Sequence, residues 1–446
     1  MFSKSRAKAI YKLVIPLFLE MFLASLLGTV DTLMIKNYSE LSVASIGNAN
    51  TVLSFLVVLF NICSVGVAIV TSQYIGASKK EESRLVLSQG IIFNLGLGLF
   101  IALMFIFFNV PLLKLANTPD NVINESSAYI MIVAFSLPFQ AMTNCLSANL
   151  KANSKPFYIT IVSLCVNLLN VLLNYLLIYG VLGTEPLGYK GAAIATLSCH
   201  LVTFILAVIL TKIVLKQRIF IFKLHKDIFK SIIKIGGPSA FESICYNIAQ
   251  FIVVSQVNKL LTDVMNARNY INMILNYTVI LSGAFGSANS ILVGYAVGKH
   301  DYEEAEKTTK LSLVLVYPVV MFVVMLINTL GFVIFPLITQ NENILSIIYT
   351  VLPILFLLET GRCINLVYIN ALKSSGDTLY PVICAVFSMY LIAAFGSYFF
   401  TDVIHLGLIG IFLANGLDEC FRAVLVIFRW KSKKWQNKSL VNKTEA

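Results

Sequence analysis

The sequence predicts an all-α integral membrane protein of twelve transmembrane helices in two pseudo-symmetric six-helix lobes. Three observations carry that prediction. Hydrophobic residues make up 58% of the 446 residues and charged residues 12%, against roughly 45–50% and 25% in soluble proteins. A soluble fold has nowhere to hide that much apolar surface. Apolar runs of about 20 residues, long enough for the hydrocarbon core, recur twelve times. The chain also repeats itself at an offset of 222 residues. Alternating strands of an outer-membrane barrel are absent from the pattern, which leaves helices as the spanning element.

The first span, 13–35, follows Lys4, Arg6, Lys8 and Lys12 and stops at Lys36. It contains Glu20 and Asp31 and lacks a small-residue cleavage site, so it reads as a span that stays rather than a signal peptide. Spans 46–71 and 86–110 flank Lys79, Lys80 and Arg84, and spans 127–150 and 157–180 flank Lys151 and Lys155. Span 191–214 closes the first half. Residues 216–230, KQRIFIFKLHKDIFK, read as a basic amphipathic segment on the inner membrane surface. The second half holds spans 231–258, 268–296, 311–337, 345–371, 379–401 and 407–428. The expected divisions are an N-terminal lobe at 1–215, the linker at 216–230, a C-terminal lobe at 231–430 and a basic cytoplasmic tail at 431–446.

With residue 1 inside, inner segments hold 26 of the 33 Lys and Arg. The outer loops hold five: Lys36, Lys114, Lys190, Lys259 and Arg268. That bias places both termini in the cytoplasm of a multi-pass protein of the cytoplasmic membrane. The net charge of +11 sits at segment ends, with no basic run interleaved with stacking aromatics, which argues against nucleic acid. Eight cysteines lie in apolar stretches without a CxxC or CxxxC pair and read as buried free thiols. Four scattered histidines and the lack of HExxH, GxSxG and Walker A motifs leave catalysis no visible home, so neither an enzyme nor a bound cofactor is expected.

At the offset of 222 the identities are Lys12/Lys234, Pro16/Pro238, Glu20/Glu242, Gly76/Gly298, Glu81/Glu303, Glu82/Glu304, Leu150/Leu372, Lys151/Lys373 and Tyr158/Tyr380. A shift of 219 then pairs Leu187-Gly188 with Leu406-Gly407, Gly191 with Gly410 and Ala195 with Ala414. Because six is even, both halves start on the same side, which makes the repeat parallel. Two similar lobes around a cleft outline an alternating-access transporter of small molecules. Nothing resembles the carbonyl filter or charged ring of a channel.

Eight ionisable residues fall at membrane depth: Glu20, Asp31, Glu242, Glu359, Arg362, Asp418, Glu419 and Arg422. Each costs at least a few kcal/mol unless it is paired or faces a water-filled cavity. Asp418 and Arg422 are i,i+4 and Glu359 and Arg362 are i,i+3, so they read as structural ion pairs or as substrate and coupling groups. Glu20, Asp31 and Glu242 have no basic neighbour in their own helices. Glu20 and Asp31 share one face about 16 Å apart, and Pro16 frees a backbone carbonyl one turn before Glu20. Burial and the helix dipole both make a negative charge at Asp31 costly. That suits a carboxylate that binds and releases a proton; a hydrogen-bonded core carboxylate is the alternative. Asn167, Asn170 and Asn174 form a polar stripe on the fifth span, for a site or for interhelical hydrogen bonding. The eight charges sum to −4, which favours cationic cargo.

With these residues in view, the sequence resembles the multidrug and toxin extrusion (MATE) family over nearly its full length. The carriers in the first half are Pro16 with Val30-Asp31-Thr32, Tyr74-Ile75-Gly76-Ala77, Asn170-x3-Asn174-Tyr175 and LGYKGAAIAT at 187–196. The second half adds Gly237-Pro238, GYAVGKHDYEEA at 294–305 and ALKSSGDTLYP at 371–381. The resemblance implies a V-shaped, monomeric pair of six-helix bundles exporting amphipathic xenobiotics in exchange for H+ or Na+. It implies coupling at Asp31, with Na+ one candidate ion there, beside the Asn170 and Asn174 pair and the Thr196 hydroxyl. Asn174 stands where the DinF branch has aspartate, and Arg362 falls about where the NorM branch has aspartate. Glu242 lies about a turn before that branch's glutamate, so a NorM-like second-lobe sodium site is not expected. The Glu359–Arg362 and Asp418-Glu419–Arg422 groups resemble a separate bacterial branch. The runner-up is a lipid-linked oligosaccharide flippase of the same superfamily. It would need cleft cations for a pyrophosphate, and both intramembrane arginines have acidic neighbours.

Overall fold

The computed structural model describes residues 4–181, 185–216, 219 and 225–441. Residues 217–218 and 220–224 of the expected surface segment, and 442–446 of the tail, lie outside them. No strand occurs among the described residues. The first half runs through α1 (Lys4–Lys36), α2 (Glu40–Val57), α3 (Asn61–Gly76), α4 (Lys80–Leu115), α5 (Asp120–Ala134), α6 (Leu137–Ala152), α7 (Pro156–Tyr179) and α8 (Tyr189–Leu215). The second half runs through α9 (Lys226–Val257), α10 (Thr262–Gly298), α11 (Tyr302–Ile334), α12 (Glu342–Val351), α13 (Leu355–Ser374), α14 (Leu379–Ser388), α15 (Phe395–Tyr398) and α16 (Gly407–Lys431).

Short turns of tighter or wider helix join α2 to α3, α12 to α13 and α14 to α15 into single passes. Among the described residues nine such runs are long and apolar enough to cross a membrane, and the bent pair α5–α6 makes a tenth. Helices α9 and α16 have 32 and 25 residues, ample for a hydrocarbon core of about 30 Å. They complete the expected twelve and are set apart by the polar and charged residues they carry. The pass expected at 127–150 bends by 53° between α5 and α6. Pro138, in the first turn of α6, has no N–H to continue the ladder, and the Ser136 hydroxyl donates to the Val133 carbonyl at 2.7 Å.

Packing divides the chain into one unit of residues 19–240 and another of residues 1–18 with 241–446. Residues 1–18 therefore belong with the second half and 216–240 with the first, unlike the expected lobes at 1–215 and 231–430. The boundaries are 222 residues apart, each two residues past a repeat-related proline inside a long helix, Pro16 in α1 and Pro238 in α9. Within the 241–446 unit, Ile10, Leu13, Val14 and Leu17 recur at helical spacing and join a buried core with Leu275, Val316 and Leu355. Within the 19–240 unit, Phe60, Phe105, Ile130 and Ile178 form the core. There Gly236 lets α9 lie against the Ile62 backbone, where an added Cβ would stand 1.6 Å from the carbonyl oxygen.

The repeat extends to backbone conformation. Ser78 and His300 are both left-handed just past a helix end, at φ 62° and 58°. Ser154 and Gly376 match in the same way, at 56° and 94°, and Gly188 and Gly407 open α8 and α16 at 55° and 56°. The first two pairs are offset by 222 and the third by 219, the offsets found in the sequence.

Candidate functional site

Two polar sites emerge, one inside each unit. In the 19–240 unit, Asp31 on α1 faces α7, whose Asn170 and Asn174 are four residues apart and so share a face. The Asn174 amide donates to Asp31 Oδ1 at 2.8 Å and to Asn170 Oδ1 at 3.0 Å. Asn170 and Asn174 are buried, and the Asn174 Oδ1 has no partner among the described residues. A cavity of about 190 Å³ opens beside them, lined by Asp31, Asn50, Tyr129, Asn174 and Thr196. The Thr196 hydroxyl donates to Ala192 O at 3.0 Å, and the Tyr129 hydroxyl lies in hydrogen-bonding reach of Thr196 and Asn50. Among the described residues no cation stands within 4 Å of Asp31. The arrangement offers several oxygens, one of them charged, to a proton or a hard cation.

Glu20 is not part of that cavity. Its carboxylate meets Lys151 on α6 at 2.8 Å. Glu242 on α9 meets Lys373 on α13 at 2.7 Å. Both partners are themselves related by the 222-residue repeat, so the same ion pair forms once in each unit. Neither glutamate had a basic neighbour in its own helix; the neighbours come from another helix of the same unit.

In the 241–446 unit the expected pairs form and then join. Glu359, fully buried, accepts from Arg362 one turn on along α13. On α16, Arg422 donates to Asp418 at 2.6 Å and lies 2.9 Å from Glu419. Glu419 ties the helices together, 3.8 Å from Arg362 and accepting from Asn365 at 2.9 Å. Ser388 donates to Asp418. Gly361 allows this approach, since a Cβ there would stand 2.5 Å from the Cys420 backbone nitrogen. A cavity of about 250 Å³ borders the cluster, lined by Arg362, Asp418, Glu419 and Arg422 together with Tyr246 and Arg268.

Arg268 corrects one expectation. The sequence places it in an outer loop, but α10 starts at Thr262 and carries it in the second turn, into the cavity wall. Counting Lys151, Lys373 and Arg268 with the eight ionisable residues moves their sum from −4 to −1. The charge argument for cationic cargo thus narrows to Asp31. Sequence reasoning also missed Tyr129 on α5 and Asn50 on α2, each one of several polar residues on its helix. No local spacing signals them.

A family model, MatE, matches residues 16–176 and 238–399. Its two blocks begin at the repeat-related prolines. The uncharacterized transporter YisQ of Bacillus subtilis is 28% identical over 97% of this chain and 96% of its own length. The probable multidrug resistance protein NorM of Thermotoga maritima is 25% identical over 98% of this chain and 94% of its own. The outward-facing structure of a multidrug resistance MATE family transporter matches with a TM-score of 0.88 at 18% identity, covering 97% of this chain and 99% of its own. A MOP superfamily transporter from Pyrococcus furiosus matches at 0.86 and 19% identity, covering 97% and 98%. At those identities the structural likeness speaks to fold.

Proposed function

Because the chain belongs to the MatE family, whose members are membrane transporters, we propose that it is a secondary active antiporter. It exports amphipathic organic compounds in exchange for H+ or Na+ by alternating access, as a monomer of the cytoplasmic membrane with both termini inside. The observation that carries this reading is Asp31: a carboxylate at membrane depth, beside a cavity, held by Asn174 and without a cation within 4 Å among the described residues. A carboxylate so placed is tolerable when neutralised and costly when bare. Binding a proton or Na+ and releasing it on the other side is therefore coupled to a large change in local energy. Asn170, Asn174 and Thr196 supply neutral oxygens that hold either ion in place. Cationic cargo and the ion then compete for the same charge, which makes their movements opposite. Glu20 and Glu242, already ion-paired, stand outside this step.

The flippase reading has less support. A pyrophosphate would require cations, and among the described residues no Lys or Arg lines the cavity beside Asp31. The deciding experiment is efflux of ethidium from proteoliposomes under a pH gradient and then a Na+ gradient, for wild type and Asp31→Asn. Gradient-driven efflux in wild type that the variant loses supports the reading and identifies the ion. Efflux at the wild-type rate in Asp31→Asn refutes it.

A further inference from the structure

The cavity of the 241–446 unit is unlike the one beside Asp31, because each acid of its cluster is ion-paired while one of its bases, Arg268, has no acid partner among the described residues. Asp418 accepts from Ser388 and Arg422, and Glu419 accepts from Asn365 and lies 2.9 Å from Arg422. Glu359 accepts from Arg362. By contrast, Arg268 lines the cavity with no carboxylate within 4 Å among the described residues. Arg422, only 6% exposed, has a buried Nε without a hydrogen-bond acceptor among the described residues and lines the same wall. The Tyr246 phenol lies in electrostatic reach of both Arg268 and Arg362. Surplus donors at membrane depth call for an acceptor, and a guanidinium matches the planar fork of a carboxylate.

We propose that this cavity is a subsite for a carboxylate carried by the transported compound, with Arg268 as the residue that receives it. As a cargo subsite it rests on the export reading; as a binding site it does not. The three arginines Arg268, Arg362 and Arg422 face three acids, Glu359, Asp418 and Glu419, so the cluster is neutral and suits one added negative charge rather than the several of a pyrophosphate. Its volume of about 250 Å³ admits a carboxylate-bearing ring of a larger amphiphile.

Rhodamine B and its ethyl ester test this directly, since they differ only in whether the benzoate is free. Both are titrated by fluorescence anisotropy against the full-length purified protein at equilibrium, without any gradient. The free acid should bind about tenfold more tightly than the ester, about 1.4 kcal/mol. Arg268→Gln should bring the two within about twofold through a loss of affinity for the free acid, and Arg268→Lys should keep part of the preference. Equal wild-type affinities, binding of neither dye, or a preference that survives Arg268→Gln would overturn the subsite. The same preference is expected in Asp31→Asn. Intact preference with wild-type ethidium efflux in that variant would refute ion coupling at Asp31 while leaving the subsite standing.

Discussion

Replacing Arg422 with methionine removes the guanidinium that bridges Asp418 at 2.6 Å and Glu419 at 2.9 Å, in a side chain 7% exposed. Glu359, Arg362, Asp418, Glu419 and Arg422 together carry −1, and the variant raises that to −2 at membrane depth. Asp418 keeps Ser388, and Glu419 keeps Asn365 with Arg362 at 3.8 Å. Removing one partner of a buried pair costs ~3–5 kcal/mol, because the remaining charge is left uncompensated. Adding Asp418→Asn to Arg422→Met restores the charge of −1, so the double variant should lose only ~1–2 kcal/mol, the desolvation cost having gone with the pair. The chain has two tryptophans, Trp430 and Trp435, stacked at 4.1 Å beside the end of α16. Equilibrium unfolding in mixed micelles followed by their fluorescence reports on the unit that holds the cluster. A single variant that loses under ~1 kcal/mol, or a double variant at least as unstable as the single, would refute the reasoning.

Three further outcomes follow from the same geometry. Lys151→Met and Lys373→Met each strand one half-buried glutamate and should lower stability alike, by ~1–3 kcal/mol in melting experiments; a marked difference would separate the two halves of the repeat. Gly236→Ala should abolish or severely reduce folded protein, since its Cβ would meet the Ile62 carbonyl at 1.6 Å. Gly237→Ala, with its nearest neighbour 3.9 Å away, should be neutral or gain up to ~1 kcal/mol, as seen in expression level and melting midpoint. Asn174→Leu removes the donor to Asp31 and should cut gradient-driven ethidium efflux at least about tenfold, the loss of one charge-assisted hydrogen bond. Efflux at the wild-type rate would show that Asp31 acts without it.

What the sequence reveals follows the range of the interactions involved. Pass number is legible because apolar runs are local, and the Asp418–Arg422 and Glu359–Arg362 pairs because i,i+4 and i,i+3 neighbours meet on any helix. The Lys151 and Lys373 partners were visible as repeat identities, but their contact with Glu20 and Glu242 spans 131 residues in each half and is settled only by packing. The α5–α6 bend was within reach, since Pro138 stands in the middle of the run. Arg268 was misplaced because a charge near a helix end looks like a loop when hydropathy sets the boundary. Tyr129 shows the real limit. A tyrosine that follows the polar first half of α5 carries no sign of the aspartate that packing brings near it.

The repeat also supplies an internal control for which charges the fold requires. Each half is, in effect, a version of the other with substitutions, and both form six passes. Residues that recur in both halves are Pro16 and Pro238, the Glu20–Lys151 and Glu242–Lys373 pairs and the left-handed helix ends. They belong to the scaffold. At the repeat offsets, Asp31 corresponds to Val253, Asn170 to Ile392 and Asn174 to Gly396, while Glu359 corresponds to Leu137, Asp418 to Cys199 and Arg422 to Thr203. Every one of these polar groups has an apolar or neutral counterpart in a half that still folds. Their cost at membrane depth is therefore not a requirement of the architecture. Among the described residues Asp31, without a cation within 4 Å, lies in one unit and Arg268, without a carboxylate within 4 Å, in the other, so substitution has given the two halves of a duplicated scaffold different polar chemistry.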